Sequence, residues 1–208
     1  MKTVGGLGYI FSLIPLINIV SPILIGIAWF QMGGKTRQTL FKATGILMFV
    51  SFILAIAVFA SFFSVLFPVA FSLGSGSFEP SVFLSLLPLL GVFFVVSIAA
   101  AVIGLATFIL ELASHFRASN IYMSRWFRRA GWMRIVTIIL AAVVLAAIVA
   151  FMPSILAGGS FPDLLGPTFL LAFIPLFIVG LLGPIFSAIA FFSLPEETPP
   201  PPPPAPTV

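Results

Sequence analysis

The chain is poor in charge: nine basic and five acidic residues in 208, with a single histidine, two tyrosines and no cysteine. A soluble domain carries roughly 25% charged residues, so 7% cannot cover a water-facing surface. That shortage excludes a soluble globular enzyme and equally a disordered polar chain. The absence of cysteine excludes a disulfide framework and a thiolate metal site. One histidine leaves too few ligands for a metal centre, which takes three or four. What the chain has instead is 61% hydrophobic residues, 25 phenylalanines and a mean hydropathy of +1.29. Together these point to an all-α, polytopic membrane protein.

The few charges fall between long uncharged runs: 3–34, 43–78, 80–110, 135–162 and 164–195. A membrane-crossing helix needs about 20 apolar residues, so each run is long enough for one crossing and too short for two. Only helices and closed barrels satisfy the backbone in lipid. Runs such as Ile135–Met152 are apolar without the two-residue alternation of barrel strands. The sequence therefore predicts a bundle of five spans, near 7–30, 44–66, 81–112, 135–151 and 168–192. This transmembrane domain covers 1–193, and 194–208 forms a proline-rich disordered tail.

Lys35, Arg37, Lys42, Arg117, Arg125, Arg128, Arg129 and Arg134 all fall on one side of such a bundle, while the opposite loops hold only Glu79 and Asp163. The positive-inside rule places the basic loops and the tail in the cytoplasm. Five crossings then put the N-terminus outside, leaving Lys2 as the one dissenting basic residue. The first run exceeds the apolar core of a signal peptide and lacks a clear cleavage site, so it is read as a span.

Sequence elements recur. Ile25-Gly-Ile-Ala-Trp-Phe30 returns as Ile103-Gly-Leu-Ala-Thr-Phe108, and Leu40-Phe-Lys-Ala-Thr-Gly45 as Trp126-Phe-Arg-Arg-Ala-Gly131. Gly-Ser-Phe stands at 76–78 and again at 159–161. The pattern predicts two parallel helix–basic loop–helix repeats plus a fifth helix.

Several residues are candidates for function. Pro15, Pro22, Pro88, Pro175 and Pro184 lie in the odd spans, where a proline removes a helix hydrogen bond and kinks the chain. Asn18, between the first two, could satisfy a freed carbonyl. Such a segment is either a static kink or a broken helix lining a path. Small residues at helical spacing (Ala57, Ser61 and Ser64; Ala100 and Gly104; Ala142 and Ala146; Gly183 and Ser187) favour close helix packing. Wound as one helix, 114–129 gathers Phe116, Tyr122, Met123, Trp126 and Phe127 on one side and Arg117, Arg125, Arg128 and Arg129 on the other. That pattern suits the membrane interface, with anionic lipid as the expected partner. Trp132 joins Trp29 and Trp126 in an aromatic belt. Glu111 and His115, four residues apart at the cytoplasmic end of the third span, are read as an interfacial ion pair, placed where a carboxylate can reach water or pair with arginines. No cofactor motif, nucleic-acid patch or catalytic constellation is present. Six consecutive prolines at 199–204 favour a polyproline II tail, about 19 Å long at 3.1 Å per residue, which could dock a protein partner.

The opening Gly5-Gly-Leu-Gly-Tyr-Ile10, the Ile-Gly-Ile-Ala of 25–28 leading into a basic loop, and Phe41 and Phe127 ahead of Gly45 and Gly131 resemble domain of unknown function family 996, a family of archaeal multi-pass membrane proteins. The resemblance covers 1–193 and departs at 31–40, where the family carries a more charged, tyrosine-containing linker. It implies a membrane protein and carries over no catalytic residues. Three functional expectations follow: a non-enzymatic bundle engaging lipid or protein through its basic face, a small transporter or channel for a neutral solute, or a membrane enzyme needing Glu111 and His115 together.

Overall fold

A computed structural model describes residues 1–74, 80–156 and 167–195. Among these, every regular element is helical: α1 (Lys2–Phe11), a 3-10 turn (Asn18–Val20), α2 (Ser21–Thr36), α3 (Thr39–Gly74), α4 (Pro80–Tyr122), α5 (Arg125–Leu156) and α6 (Pro167–Phe192). The Gly-Ser-Phe repeats, Glu79, Asp163 and the polyproline tail lie outside the described residues.

Among the described residues four segments are long and apolar enough to cross a membrane: Thr39–Phe71, Leu86–Tyr122, Arg125–Ala150 and Phe173–Phe192. Their surfaces agree with that reading. Phe67 is 68% exposed, Val95 69% and Phe177 68%, and unbroken apolar exposure of this kind belongs in contact with lipid rather than water. The helices therefore make the chain an integral membrane protein.

The expected first span, 7–30, is not one helix. α1 stops at Phe11, and Ser12–Ile17 form turns closed by short-range bonds such as Leu13 N–H to Ile10 O and Ile17 N–H to Ile14 O, both 3.0 Å. Pro15 sits inside this break, where its missing N–H costs nothing. Asn18 serves the turn through its backbone N–H, which donates to Ile14 O at 2.8 Å. Pro22 is no interior kink either: it occupies the first turn of α2, a position that needs no N–H donor. Pro88, Pro175 and Pro184 do lie inside helices, α4 and α6, which continue through them.

The segment 114–129 also departs from expectation. It is not one amphipathic helix, because α4 runs on to Tyr122 and ends there. Met123 takes the left-handed conformation, φ 50°. Ser124 N–H donates to Ser119 O at 3.2 Å, and Ser119 Oγ donates to Ser124 O at 3.0 Å. This six-to-one bond around a left-handed residue is the Schellman ending of a helix. Phe127 is consequently fully buried while Met123 is 86% exposed, so the two do not share a face.

Contacts divide the chain into two compact units, 25–111 and 1–24 with 112–208. In the first unit α3 and α4 are joined by hydroxyls. Ser51 Oγ and Thr107 Oγ1 are 2.7 Å apart, Thr107 also reaches Leu47 O at 3.3 Å, and Thr44 donates to Leu40 O at 2.9 Å and Leu110 O at 3.3 Å. Trp29 and Phe41 pack at 5.4 Å across the α2–α3 corner, both fully buried. Gly45 lies so close to α2 that an added Cβ would meet Phe30 N at 2.8 Å. In the second unit α6 packs against both α5 and α1.

Two corners share a plan. α2 ends at Thr36, Arg37 is left-handed with φ 54°, and α3 begins at Thr39. α4 ends at Tyr122, Met123 is left-handed, and α5 begins at Arg125. Buried Trp29 faces buried Phe41 in one, and buried His115 faces buried Phe127, at 6.0 Å, in the other. Gly45 stands over Phe30 as Gly131 stands over Phe116. Counted from its corner, Ile25–Phe30 matches 111–116 rather than the 103–108 that letter similarity picks out.

The small-residue stripes contribute unevenly. Nothing lies within 4 Å of a Cβ built on Gly104, and Ala142 and Ala146 are exposed. Ser61 and Ser64 bond back to their own helix, at Ala57 O and Ala60 O. Of these positions, Gly183 and Ser187 on α6 are buried.

Candidate functional site: the basic end of α4, α5 and α6

The polar residues of the second unit concentrate where α4 ends, α5 begins and α6 ends. His115 is fully buried there. Its Nε2 lies 3.0 Å from Ser187 Oγ, and Ser187 Oγ donates to Gly183 O at 3.0 Å. A hydroxyl has one hydrogen, and that hydrogen is on Gly183, so His115 Nε2 is the donor to Ser187. The imidazole is surrounded by rings: Tyr9 at 6.0 Å and Phe127 at 6.0 Å, both edge-on, with Phe191 in contact with Tyr9 at 5.6 Å and with Phe127 at 5.3 Å. The Arg134 guanidinium lies over the Tyr9 ring at 5.5 Å.

Glu111, one turn before His115 on α4, is 6% exposed. Glu111 and His115 are each buried, so neither side chain is the water-facing group expected at the end of α4. Among the described residues no group of three His, Asp or Glu side chains gathers to hold a metal.

The arginines lie outside this buried set. Arg117, Arg125, Arg128 and Arg129 are all exposed. Arg129 stacks on Trp126, 4.8 Å from the ring, and Trp126 packs on Phe186 at 5.7 Å. Trp132 is 54% exposed and meets Phe116 edge-on at 5.9 Å. Tyr122 stacks with Phe127 at 6.4 Å, and its buried hydroxyl has no hydrogen-bond partner among the described residues. The corner therefore presents four cations and an exposed indole on the outside of a buried aromatic core. Cations beside amphipathic rings suit an anionic headgroup region.

Sequence reasoning missed Tyr9 and Ser187 as partners of His115, and Phe191 behind Tyr9 and Phe127, since all three lie more than 70 residues from it. The run Gly5-Gly6-Leu7-Gly8-Tyr9 was the available signal. Gly5, Gly6, Gly8 and Tyr9 are all buried, and a methyl on Gly5 or Gly6 would overlap the Phe191 or Phe192 ring. No family model, curated protein or solved structure matches this chain.

Proposed function

We propose that this integral membrane protein is a non-enzymatic helical bundle that engages anionic lipid through the exposed arginines of the α4–α5 corner, with its basic loops and tail in the cytoplasm. The observation that carries the reading is the joint exposure of Arg117, Arg125, Arg128 and Arg129 beside Trp126 and Trp132. Each basic residue near an anionic leaflet contributes about 1 kcal/mol. On the same reading the two corners are copies of one module set 86 residues apart, as Arg37 and Met123 are. The likeness to domain of unknown function family 996 belongs to this proposal too.

The test is native mass spectrometry of protein released from nanodiscs of mixed neutral and anionic lipid. The Arg125→Ala, Arg128→Ala, Arg129→Ala triple variant should retain roughly tenfold less anionic lipid than the parent, or lower still. Equal retention by folded variant and parent would overturn the reading.

A further inference from the structure

We propose that residues 1–36 enter the bilayer and leave it on the side they entered, without crossing it, so that the N-terminus lies on the basic side of the membrane. The inference concerns topology and stands whether or not the arginines bind lipid.

Three observations carry it. The first is length. α1 has 10 residues and α2 has 16, about 15 Å and 24 Å at 1.5 Å per residue. Neither crosses a hydrocarbon core of about 30 Å, and the turns at 12–20 separate them.

The second is the side on which the two ends of this segment stand. Tyr9 packs against His115 near the end of α4, under Arg134 near the start of α5, and against Phe191 at the end of α6. Gly5 and Gly6 lie on Phe191 and Phe192. α1 therefore begins at the level where those three helices meet the basic loop. At the other end, α2 leads through Lys35 and Arg37 into the start of α3. α3 and α4 cross in opposite directions, so the start of α3 and the end of α4 share a side. Entry and exit of residues 1–36 are then on the same side. A single crossing by residues 7–30 would place them on opposite sides.

The third is the tip. Leu16 is 91% exposed and Ile19 64%, with Ile14, Ile17 and Val20 also open. A loop of this composition in water would be a large apolar patch. In the acyl region it is solvated by lipid, and its backbone is held by the turn bonds already described. The arrangement also settles the charge pattern: Lys2 joins the other eight basic residues, and all nine obey the positive-inside rule.

The chain has no cysteine, so single-cysteine variants report unambiguously. Thr3→Cys, Thr39→Cys, Ser77→Cys and Leu16→Cys would be labelled with a membrane-impermeant maleimide in sealed vesicles of known orientation, and again after solubilisation in SDS. Thr3→Cys and Thr39→Cys are expected to label from one side and Ser77→Cys from the other. Leu16→Cys is expected to resist labelling from both sides and to react fully in SDS. Labelling of Thr3→Cys from the side that labels Ser77→Cys would overturn the proposal, as would labelling of Leu16→Cys in the intact vesicle. Each variant is scored only if it elutes as the parent does on size exclusion, which separates misfolding from topology.

Discussion

His115 is the chain's single histidine, and it is held rather than displayed. Its Nε2–H bond to Ser187 at 3.0 Å is a buried link between α4 and α6. A buried donor left without its acceptor costs about 1–3 kcal/mol, and interhelical bonds in membranes average nearer 0.6 kcal/mol. Ser187→Ala should therefore destabilise the protein by about 1 kcal/mol, read as a lower thermal midpoint in detergent, whereas Ser187→Thr should keep most of the bond. An unchanged midpoint for Ser187→Ala would mean that the hydroxyl is dispensable. The one-turn spacing of Glu111 and His115 was legible in the sequence. The burial of His115 was not, because the rings against it come from Tyr9 and Phe127, and helical spacing says nothing about which distant helix covers a face.

At the scale of elements, the corners are where the chain tolerates strain. Arg37 and Met123 are non-glycine residues at positive φ, a conformation that costs a side chain about 1 kcal/mol or more. Met123 is 86% exposed and loses little if truncated. Met123→Gly is therefore expected to stabilise the protein by about 1 kcal/mol, seen as a raised thermal midpoint with unchanged helix content by circular dichroism. The corner at 114–129 was half legible. Its arginines and aromatics marked an interface, yet no glycine or proline announced the stop at Tyr122, since the Schellman bond is made by Ser119 and Ser124. The break at 12–20 was hidden for a different reason. Leu13, Ile14, Leu16, Ile17 and Ile19 are as apolar as any span, and composition cannot tell a chain that crosses lipid from one that turns within it. The hydroxyls of Thr44, Ser51 and Thr107 also gave no signal, because a lone Ser or Thr in a helix more often bonds back to its own turn, as Ser64 does.

The whole molecule places its tryptophans in different surroundings. Trp29 is fully buried and Trp132 is 54% exposed, although both fall near the ends of apolar runs and read alike in the sequence. Indoles at the headgroup level are open to lipid. Single-tryptophan variants in bilayers of brominated phosphatidylcholine should separate the two, with Trp132 fluorescence strongly quenched and Trp29 fluorescence little changed. Quenching of both to the same degree would contradict the packing of Trp29 on Phe41. At this scale charge scarcity served well as a guide: four of the five uncharged runs correspond to helices fit to cross a membrane.

The seat of α1 against Phe191 and Phe192 has a consequence in time. The surface that receives Gly5 and Gly6 is made by Phe191 and Phe192, some 185 residues later in the chain. At roughly 5–20 residues per second of synthesis, the ribosome takes about 10–40 s to deliver it. Through that interval the N-terminal segment, already made, has no docking site, and Tyr9 waits with its aromatic face uncovered. α1 is thus made early relative to α6 and seated only once α6 is complete.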